Sequence, residues 1–442
     1  MKNIIVIGAG LSSSYLIKYL LDNASSHQWH ITVADTDILL AQSKVKNHSN
    51  GTAAALNVND LAKRQELIRK NDLVISMLPA AIHLLVAKDC LGFKKHLITA
   101  SYISTEMQQL HKEALKNNLL FLNECGLDPG IDHLSAMKMI HEIQKKDGEV
   151  TSFKSFCGGL VAPEYDDNPW NYKFTWNPRN VIIAGQATAR YLENGELKFI
   201  PPSRIFTQTE EVKIEGYGEF ENYANRDSLS YIKPYGIESA KTVLRGTLRR
   251  KGFSANWNYL VRLGLTDDSF VIPDSDKISV RAFVSAFTPG KHLSELEKRV
   301  CDFLDTKMNS DEFKKLEWLG LFSDEKIKLR EATPAQILQN ILQEKWKLKK
   351  GELDMIVMKH IIKYEVGSTK CEVGCSLVVK GEDEVLTAMA KTVGLPMAIA
   401  AKLLLTDKIK GRGVLMPITP EFYEPILAEL ETFGVKFIEV SC

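Results

Sequence analysis

Ile4-Ile5-Val6-Ile7-Gly8-Ala9-Gly10-Leu11-Ser12-Ser13-Ser14 decides how the first part of this chain folds. An apolar strand-like run ends on Gly8, and the helical pattern Tyr15 to Leu21 begins a few residues later. The glycines are spaced as G-x-G-x-x-G, with Ser13 in the third place. Gly8 permits a tight turn, Gly10 lets a pyrophosphate approach the backbone, and the helix start offers free N–H groups and a positive dipole end. Serine at the third position is small enough to keep helix and strand close. The next strand-like run, Ile31-Thr32-Val33-Ala34, ends in Asp35, where a carboxylate can accept hydrogen bonds from ribose hydroxyls. This series predicts a dinucleotide site built from Gly8, Gly10, Leu11, Ser12 and Asp35. After Asp35 neither arginine nor lysine occurs until Lys44, so a 2′-phosphate would face a like charge without a nearby cation, and NAD is the expected cofactor. The plainer reading is that Asp35 simply ends a strand.

Further runs at Leu61 to Ile68, Leu73 to Met77 and Leu97 to Thr99 continue the strand and helix alternation of a parallel sheet with helices on both faces. Beyond Gly126 the texture changes to strand-like stretches at Ser152 to Cys157, Val181 to Ala184, Leu197 to Ile200 and Val243 to Leu248, a mixed α/β domain. Helical spacing dominates residues 255–350, read as an all-helical insertion. Strand character returns at Asp354 to Tyr364 and Glu372 to Lys380. A helix is expected from Glu384 to Leu404 and a last strand near Lys436 to Val440. The predicted fold class is therefore α/β, a Rossmann domain over residues 1–125 with a return segment near 390–425. Residues 126–254 and 351–389 are expected to form a mixed α/β domain around the insertion, the part to which the resemblance given below assigns the substrate and the dimer contact.

A chain of 442 residues exceeds one hydrophobic core, which stops growing at about 250–300 residues, so several domains are expected. Its 45% hydrophobic and 25% charged residues are ordinary for globular proteins. Fifty-six basic residues against 55 acidic ones leave no positive field for a phosphate backbone, and no nucleic-acid partner is expected. The apolar start is too short for a signal peptide, and Val393 to Leu405 is broken by Pro396 and Lys402, so a cytoplasmic protein without a membrane span is expected. Seven scattered cysteines, at 90, 125, 157, 301, 371, 375 and 442, suit reduced thiols. Cys371 and Cys375 have no second ligand pair, so no metal is expected.

Several runs together resemble the glutamate-forming saccharopine dehydrogenases, including the C-terminal half of bifunctional aminoadipic semialdehyde synthase. They are Thr99-Ala100-Ser101-Tyr102-Ile103, Gly126-Leu127-Asp128-Pro129-Gly130-Ile131-Asp132-His133, Cys157-Gly158-Gly159-Leu160, Tyr172-Lys173-Phe174, Asn225-Arg226-Asp227-Ser228, Leu244-Arg245-Gly246-Thr247-Leu248-Arg249 and Ala388 to Pro396. They follow the family's order across nearly the whole chain. The resemblance implies a dimer of three-domain subunits in which saccharopine, NAD and water give glutamate, aminoadipate semialdehyde and NADH. It assigns substrate binding to Ser101, Tyr102, Asp128, Arg226, Thr247 and Arg249, and proton transfer to Asp128 with Tyr102 and Cys157. It adds Leu78, Pro79, Leu127, Asp128, Pro129 and Phe174 to the cofactor contacts. Two departures stand out: Val161 where the family often has proline, and Ala80 where an aromatic often follows Leu-Pro.

That chemistry can be weighed against the residues. A substrate with three carboxylates needs fixed cations, and arginine's planar fork is the best clamp. Hydride departure needs a neutral amine, which calls for a general base. Asp128 precedes Pro-Gly, so it is equally a turn former. Cys157 reads equally as a buried small hydrophobe, and His133 as a supporting residue. Two other functions compete: a carboxyspermidine-type dehydrogenase, which would favour acidic site residues, and a non-catalytic NAD-binding redox sensor, which would have lost the acid/base and carboxylate-binding side chains.

Overall fold

The structure is a computed structural model that describes residues 1–441; Cys442 lies outside the described residues. The chain forms two compact units, one of Met1–Val150, Pro234–Ile237 and Lys363–Cys442, the other of Thr151–Lys233 and Glu238–Ile362.

In the first unit the chain runs β1 (Lys2–Ile7), α1 (Ser14–His27), β2 (Trp29–Asp35), α2 (Ile38–Val45), β3 (Gly51–Ala55), α3 (Leu61–Arg69) and β4 (Leu73–Ser76). It continues through α4 (His83–Gly92), β5 (His96–Thr99), α5 (Thr105–Gln109), α6 (His111–Lys116), β6 (Leu120–Leu122) and α7 (Ile131–Gln144). Next come β7 (Gly148–Val161), α8 (Pro178–Ile182), β8 (Ala189–Glu193), β9 (Glu196–Ile200), β10 (Thr209–Ile214), β11 (Gly218–Ala224), α9 (Ile232–Tyr235) and β12 (Thr242–Arg250). Helices α10 (Phe253–Arg262), α11 (Val280–Ala286), α12 (Leu296–Leu304), α13 (Asp311–Trp318) and α14 (Pro334–Lys345) follow. The chain closes with β13 (Asp354–Val366), β14 (Thr369–Lys380), α15 (Ala388–Leu405), β15 (Gly413–Leu415), α16 (Pro420–Thr432) and β16 (Ile438–Ser441).

The first unit is built on a sheet of order β15-β6-β5-β4-β1-β2-β3 whose pairs are all parallel. The order reverses between β1 and β4, the switch point outside which α/β sheets bind ligands. Strand β1 is buried from Ile4 to Ile7, as a strand covered on both faces must be. Strands β3 (Gly-Thr-Ala-Ala-Ala) and β6 (Leu-Phe-Leu) are not conspicuous in the sequence, and the sheet recruits them by pairing. Helix α15 alone is long and apolar enough to cross a membrane among the described residues, yet 83% of its apolar window is buried. Its packing against α1 explains the apolar character, because a Cβ on Gly394 would lie 2.7 Å from the Leu16 backbone N.

In the second unit a mixed sheet runs β10-β11-β12-β7-β13, with β7 parallel to β12 and the rest of β10 to β12 antiparallel. Between Val181 and Ala184, where a strand was expected, the chain forms helix α8 instead. Asn177 caps it by accepting from Arg179 N at 3.0 Å, and Pro178 occupies the first helical position, a start signal that outweighs the β-branched residues behind it. A cluster of Trp170, Tyr172, Phe174, Phe253, Trp257 and Trp346, with ring centroids 5.2–6.2 Å apart, fills the core beside β12.

Candidate active site

The dinucleotide turn is shaped by backbone geometry. Gly8 has φ +106°, and a Cβ there would sit 3.1 Å from Met77 O, so no other residue fits without strain. Around Gly10 a Cβ would meet nothing within 4 Å, which leaves its backbone open on one side. Ser13 is fully buried and its Oγ donates to Gly10 O at 2.8 Å, so the serine in place of the third glycine braces the turn. No side chain caps the start of this helical segment, and its first N–H groups are available to an anion.

Asp35 is already engaged within the protein. Its Oδ2 accepts from Ala9 N at 2.7 Å, and its Oδ1 accepts from Asp37 N at 3.0 Å and Thr36 Oγ1 at 3.2 Å. The carboxylate ties the glycine-rich turn to the end of β2. Lys44 reaches from α2 to Ser14 Oγ at 2.5 Å and brings a cation to the first turn of α1.

Two loops at the carboxyl ends of β5 and β6 carry the other candidates of this unit. Ser101 and Tyr102 are half-buried. Their segment is clipped by Glu124, whose N donates to Ser101 O at 3.1 Å and whose Oε1 accepts from Ile103 N at 3.0 Å. Glu124 is 4% exposed with φ +54°, and its Oε2 lies 2.9 Å from His133 Nε2; His133 Nδ1 is 2.5 Å from the Tyr235 hydroxyl. His133 thus supports the loop from below. Asp128 and Pro129, joined by a cis peptide, stand at the tip of a turn in which Gly126 N donates to Pro129 O at 2.9 Å. Asp132 Oδ1 takes the Gly130 N–H at 2.5 Å, so Asp132 is a carboxylate that stabilises this turn. Asp128 is half-buried while Leu127 and Pro129 are buried. Leu78 is half-buried and Pro79 exposed just after β4, and Ala80 is exposed too.

His83, which the sequence reading overlooked, joins these loops. It is 4% exposed, with Nδ1 2.8 Å from Ser76 Oγ and Nε2 2.8 Å from Ser101 Oγ and 3.1 Å from Thr99 Oγ1. Burial pushes its pKa down to about 4, so the ring is neutral near pH 7. The available signal was a histidine opening the otherwise apolar stretch Leu84-Leu85-Val86.

In the second unit the period of two along β12 sends Arg245, Thr247 and Arg249 to one face. Thr247 is in register with Cys157 on β7 and with Tyr223 on β11. Cys157 is 6% exposed. Arg245, a residue the sequence reading did not single out, stacks its guanidinium 4.3 Å from the Tyr231 ring centroid. Arg226 is exposed after β11 with φ +43°, and its carbonyl accepts from Arg190 N at 2.7 Å. Phe174 is buried edge-on to Trp346 and Tyr172.

Arg249 is the least expected of these groups energetically. It is 4% exposed and surrounded by the rings of Tyr172, Tyr223 and Phe253 at 5.1, 5.8 and 5.4 Å. Its Nη1 donates to Leu248 O at 3.0 Å, its Nε has no partner, and no carboxylate pairs with it among the described residues. Glu221, opposite it in the β11–β12 register, instead accepts from Gly252 N and Ser254 N at the start of α10. Asn222 Oδ1 is also buried without a partner. A buried cation with no counter-ion can receive an anion.

The parallel sheet of the first unit, with its glycine-rich turn at the switch point, defines the class of a Rossmann-type α/β protein that carries a second, mixed unit. Comparison with known proteins makes this specific: a model described as the saccharopine dehydrogenase NADP binding domain matches residues 4–122, and one described as the saccharopine dehydrogenase C-terminal domain matches residues 126–435. The chain belongs to the saccharopine dehydrogenase family. It is 34% identical over 99% of its length and 99% of the partner's to saccharopine dehydrogenase [NADP(+), L-glutamate-forming] of Saccharomyces cerevisiae, and 32% identical to the Schizosaccharomyces pombe protein of that name, again over 99% of both. It is 35% identical to mitochondrial alpha-aminoadipic semialdehyde synthase of Mus musculus, of which it spans 47%, a little under half. Among solved structures, the apo L-Glu-forming saccharopine dehydrogenase of Saccharomyces cerevisiae superposes with a TM-score of 0.88 and 33% identity over 100% of both chains.

These findings overturn NAD as the expected cofactor, since the matched domain is described as NADP-binding and the full-length fungal relatives are named for NADP(+). The physical reason lies in Asp35. The like-charge argument for NAD rested on Asp35 alone, and its carboxylate already accepts from Ala9 N, Asp37 N and Thr36 Oγ1, which offset part of the charge it would turn toward a 2′-phosphate.

Proposed function

We propose that this protein oxidises saccharopine with NADP(+) and water to L-glutamate, aminoadipate semialdehyde, NADPH and a proton. The observation that carries this reading is the buried, unpaired Arg249, because a substrate with three carboxylates supplies the anion that the site lacks. Membership of the saccharopine dehydrogenase family supports saccharopine as that anion. NADP(+), when bound, takes up the hydride from the carbon that becomes the aldehyde. The open face of Gly10 and the uncapped start of α1 fit its pyrophosphate, and Lys44 offers a cation there.

In this reading Arg249 and Arg226 hold substrate carboxylates, with Ser101 and Thr247 as hydroxyl donors. Asp128 removes the ammonium proton so that the nitrogen lone pair can assist hydride departure, with Tyr102 and Cys157 in the same proton-transfer network. Water then adds to the imine, and the carbinolamine collapses to amine and aldehyde after a proton moves from oxygen to nitrogen. Leu78, Pro79, Leu127, Pro129 and Phe174 are assigned to the cofactor by the family resemblance.

The test is NADPH appearance by absorbance when saccharopine is added with NADP(+), in parallel with carboxyspermidine. Turnover of saccharopine that Asp128→Asn lowers by about a hundredfold, in the usual range for losing a general base, supports the proposal. Preference for carboxyspermidine, or full activity of Asp128→Asn, refutes the respective part. The buried Arg249 disfavours the polyamine reading, since that substrate carries more positive charge.

A further inference from the structure

Among the described residues His83 sits among three hydroxyls, with no carboxylate or carbonyl among its hydrogen-bond partners. Ser76 and Thr99 are 1% and 0% exposed, so none of the groups behind Ser101 is served by bulk water. A neutral imidazole carries one N–H and one lone pair, so its two ends must play opposite roles. On the Nε2 side two oxygens face one nitrogen, Ser101 Oγ at 2.8 Å and Thr99 Oγ1 at 3.1 Å. A single N–H can be shared between two acceptors in a three-centre bond, whereas a single lone pair accepts well from only one hydroxyl. On the Nδ1 side there is one oxygen, Ser76 Oγ at 2.8 Å, which can donate to the lone pair.

We propose that His83 is a positioning residue held as the Nε2–H tautomer, which donates to Ser101 Oγ and so leaves the Ser101 hydroxyl hydrogen directed at a substrate carboxylate. This rests on the proposed function, because Ser101 is assigned to substrate there. The chain of direction is Ser76 O–H to Nδ1, Nε2–H to Ser101 Oγ, and Ser101 O–H to the ligand. In the opposite tautomer Ser101 would spend its hydrogen on the imidazole and present lone pairs to an anion. Thr99 Oγ1 also accepts from Ser101 N at 3.3 Å, which fixes the serine's backbone under the same ring.

The experiment combines a spectroscopic and a kinetic arm. In protein labelled with 15N-histidine, the His83 ring, identified by its loss in His83→Gln, is expected to show a protonated Nε2 and an unprotonated Nδ1 at pH 7. The reverse pattern overturns the proposal whatever the enzyme's substrate. In the kinetic arm, His83→Asn removes the donor at the Nε2 position and should raise the saccharopine KM roughly three- to tenfold with kcat little changed, the scale of one neutral hydrogen bond. His83→Gln, whose amide nitrogen reaches near the Nε2 position, should restore most of it. Ser101→Ala should match His83→Asn, and the double variant should be no worse than Ser101→Ala. Independent, multiplying losses in the double variant overturn the proposal, because a merely structural His83 would not need Ser101. Should His83→Asn fail to fold, Ser76→Ala, which removes the donor to Nδ1, replaces it with the same expected direction. A wild-type enzyme inactive on saccharopine refutes the proposed function, and the tautomer measurement then decides the hydrogen-bond direction by itself.

Discussion

Two buried cations of the second unit are treated in opposite ways. Lys173 is 1% exposed, and its Nζ lies 2.7 Å from Asp167 Oδ1 and 2.7 Å from Glu352 Oε1. Lys349 adds a further contact to Asp167 at 2.9 Å. Arg249, 4% exposed, has aromatic rings around it and no carboxylate. Removing a charge from water is costly unless a counter-ion and hydrogen bonds offset the loss. Lys173 is offset within the fold and therefore contributes to holding it. Arg249 is offset only in part by the rings around it, and in the proposed function a substrate carboxylate supplies the remainder.

Breaking Lys173 should show the largest effect. Lys173→Met takes the close cation from the largely buried Glu352, while Asp167 keeps Lys349, and is expected to cost about 3 kcal/mol of stability, read by denaturant unfolding. A loss below about 1 kcal/mol would make the cluster a surface ornament and dissolve the contrast. Arg249→Met should do the reverse. Stability stays level or rises, while kcat/KM for saccharopine falls by about a hundredfold or more, as expected for a charge-assisted bidentate contact. If Arg249→Met instead unfolds the protein with kcat/KM of the folded fraction intact, Arg249 belongs with Lys173 as a structural cation.

The first unit extends the comparison to an anion. Asp35→Asn weakens a charge-assisted bond to Ala9 N and should lower affinity for NADP(+) and NAD alike, about three- to thirtyfold, because the turn itself loosens. Fluorescence titration of both dinucleotides measures this, and a change in their ratio as large as the change in either affinity would show Asp35 reading the ribose directly. The smallest effect concerns acid. Hydrogen bonds from Lys173 and Lys349 lower the Asp167 pKa from 3.8 to about 2. Its folded pKa being depressed, its contribution to stability is present above about pH 4 and is lost as pH falls through 2. The melting temperatures of wild type and Asp167→Asn should therefore converge as pH falls from 5 toward 2, and parallel curves would contradict the assignment.

The same contrast separates what was legible in the sequence. The turn at Gly8 and Gly10 could be read because a tight turn, an open backbone and a helix start are all local requirements, met within a few residues. The strand Val243 to Leu248 could likewise be read, and its period of two, continued by one residue, implies that Arg245 shares a face with Thr247 and Arg249. Residues 181–184 misled because their β-branched side chains are a weaker signal than the Asn177-Pro178 start just before them. His83 was overlooked because nothing in its neighbours along the chain indicates that Ser76, Thr99 and Ser101 converge on it.

By itself, then, the sequence determined the Rossmann sheet, the mixed second unit and the family to which the chain belongs, since periodicity and motif spacing are properties of neighbouring residues. Tertiary structure decided the role of each charge. Asp35 became a brace because Ala9, 26 positions earlier, is brought to its oxygen, and Lys173 became structural because Glu352, 179 positions later, is brought to its ammonium. Arg249 was left unpaired because the adjacent Glu221 turns to the amides of α10 instead. The free energy of a charge depends on which groups replace its water, and those groups are supplied by the fold, from positions remote in the chain.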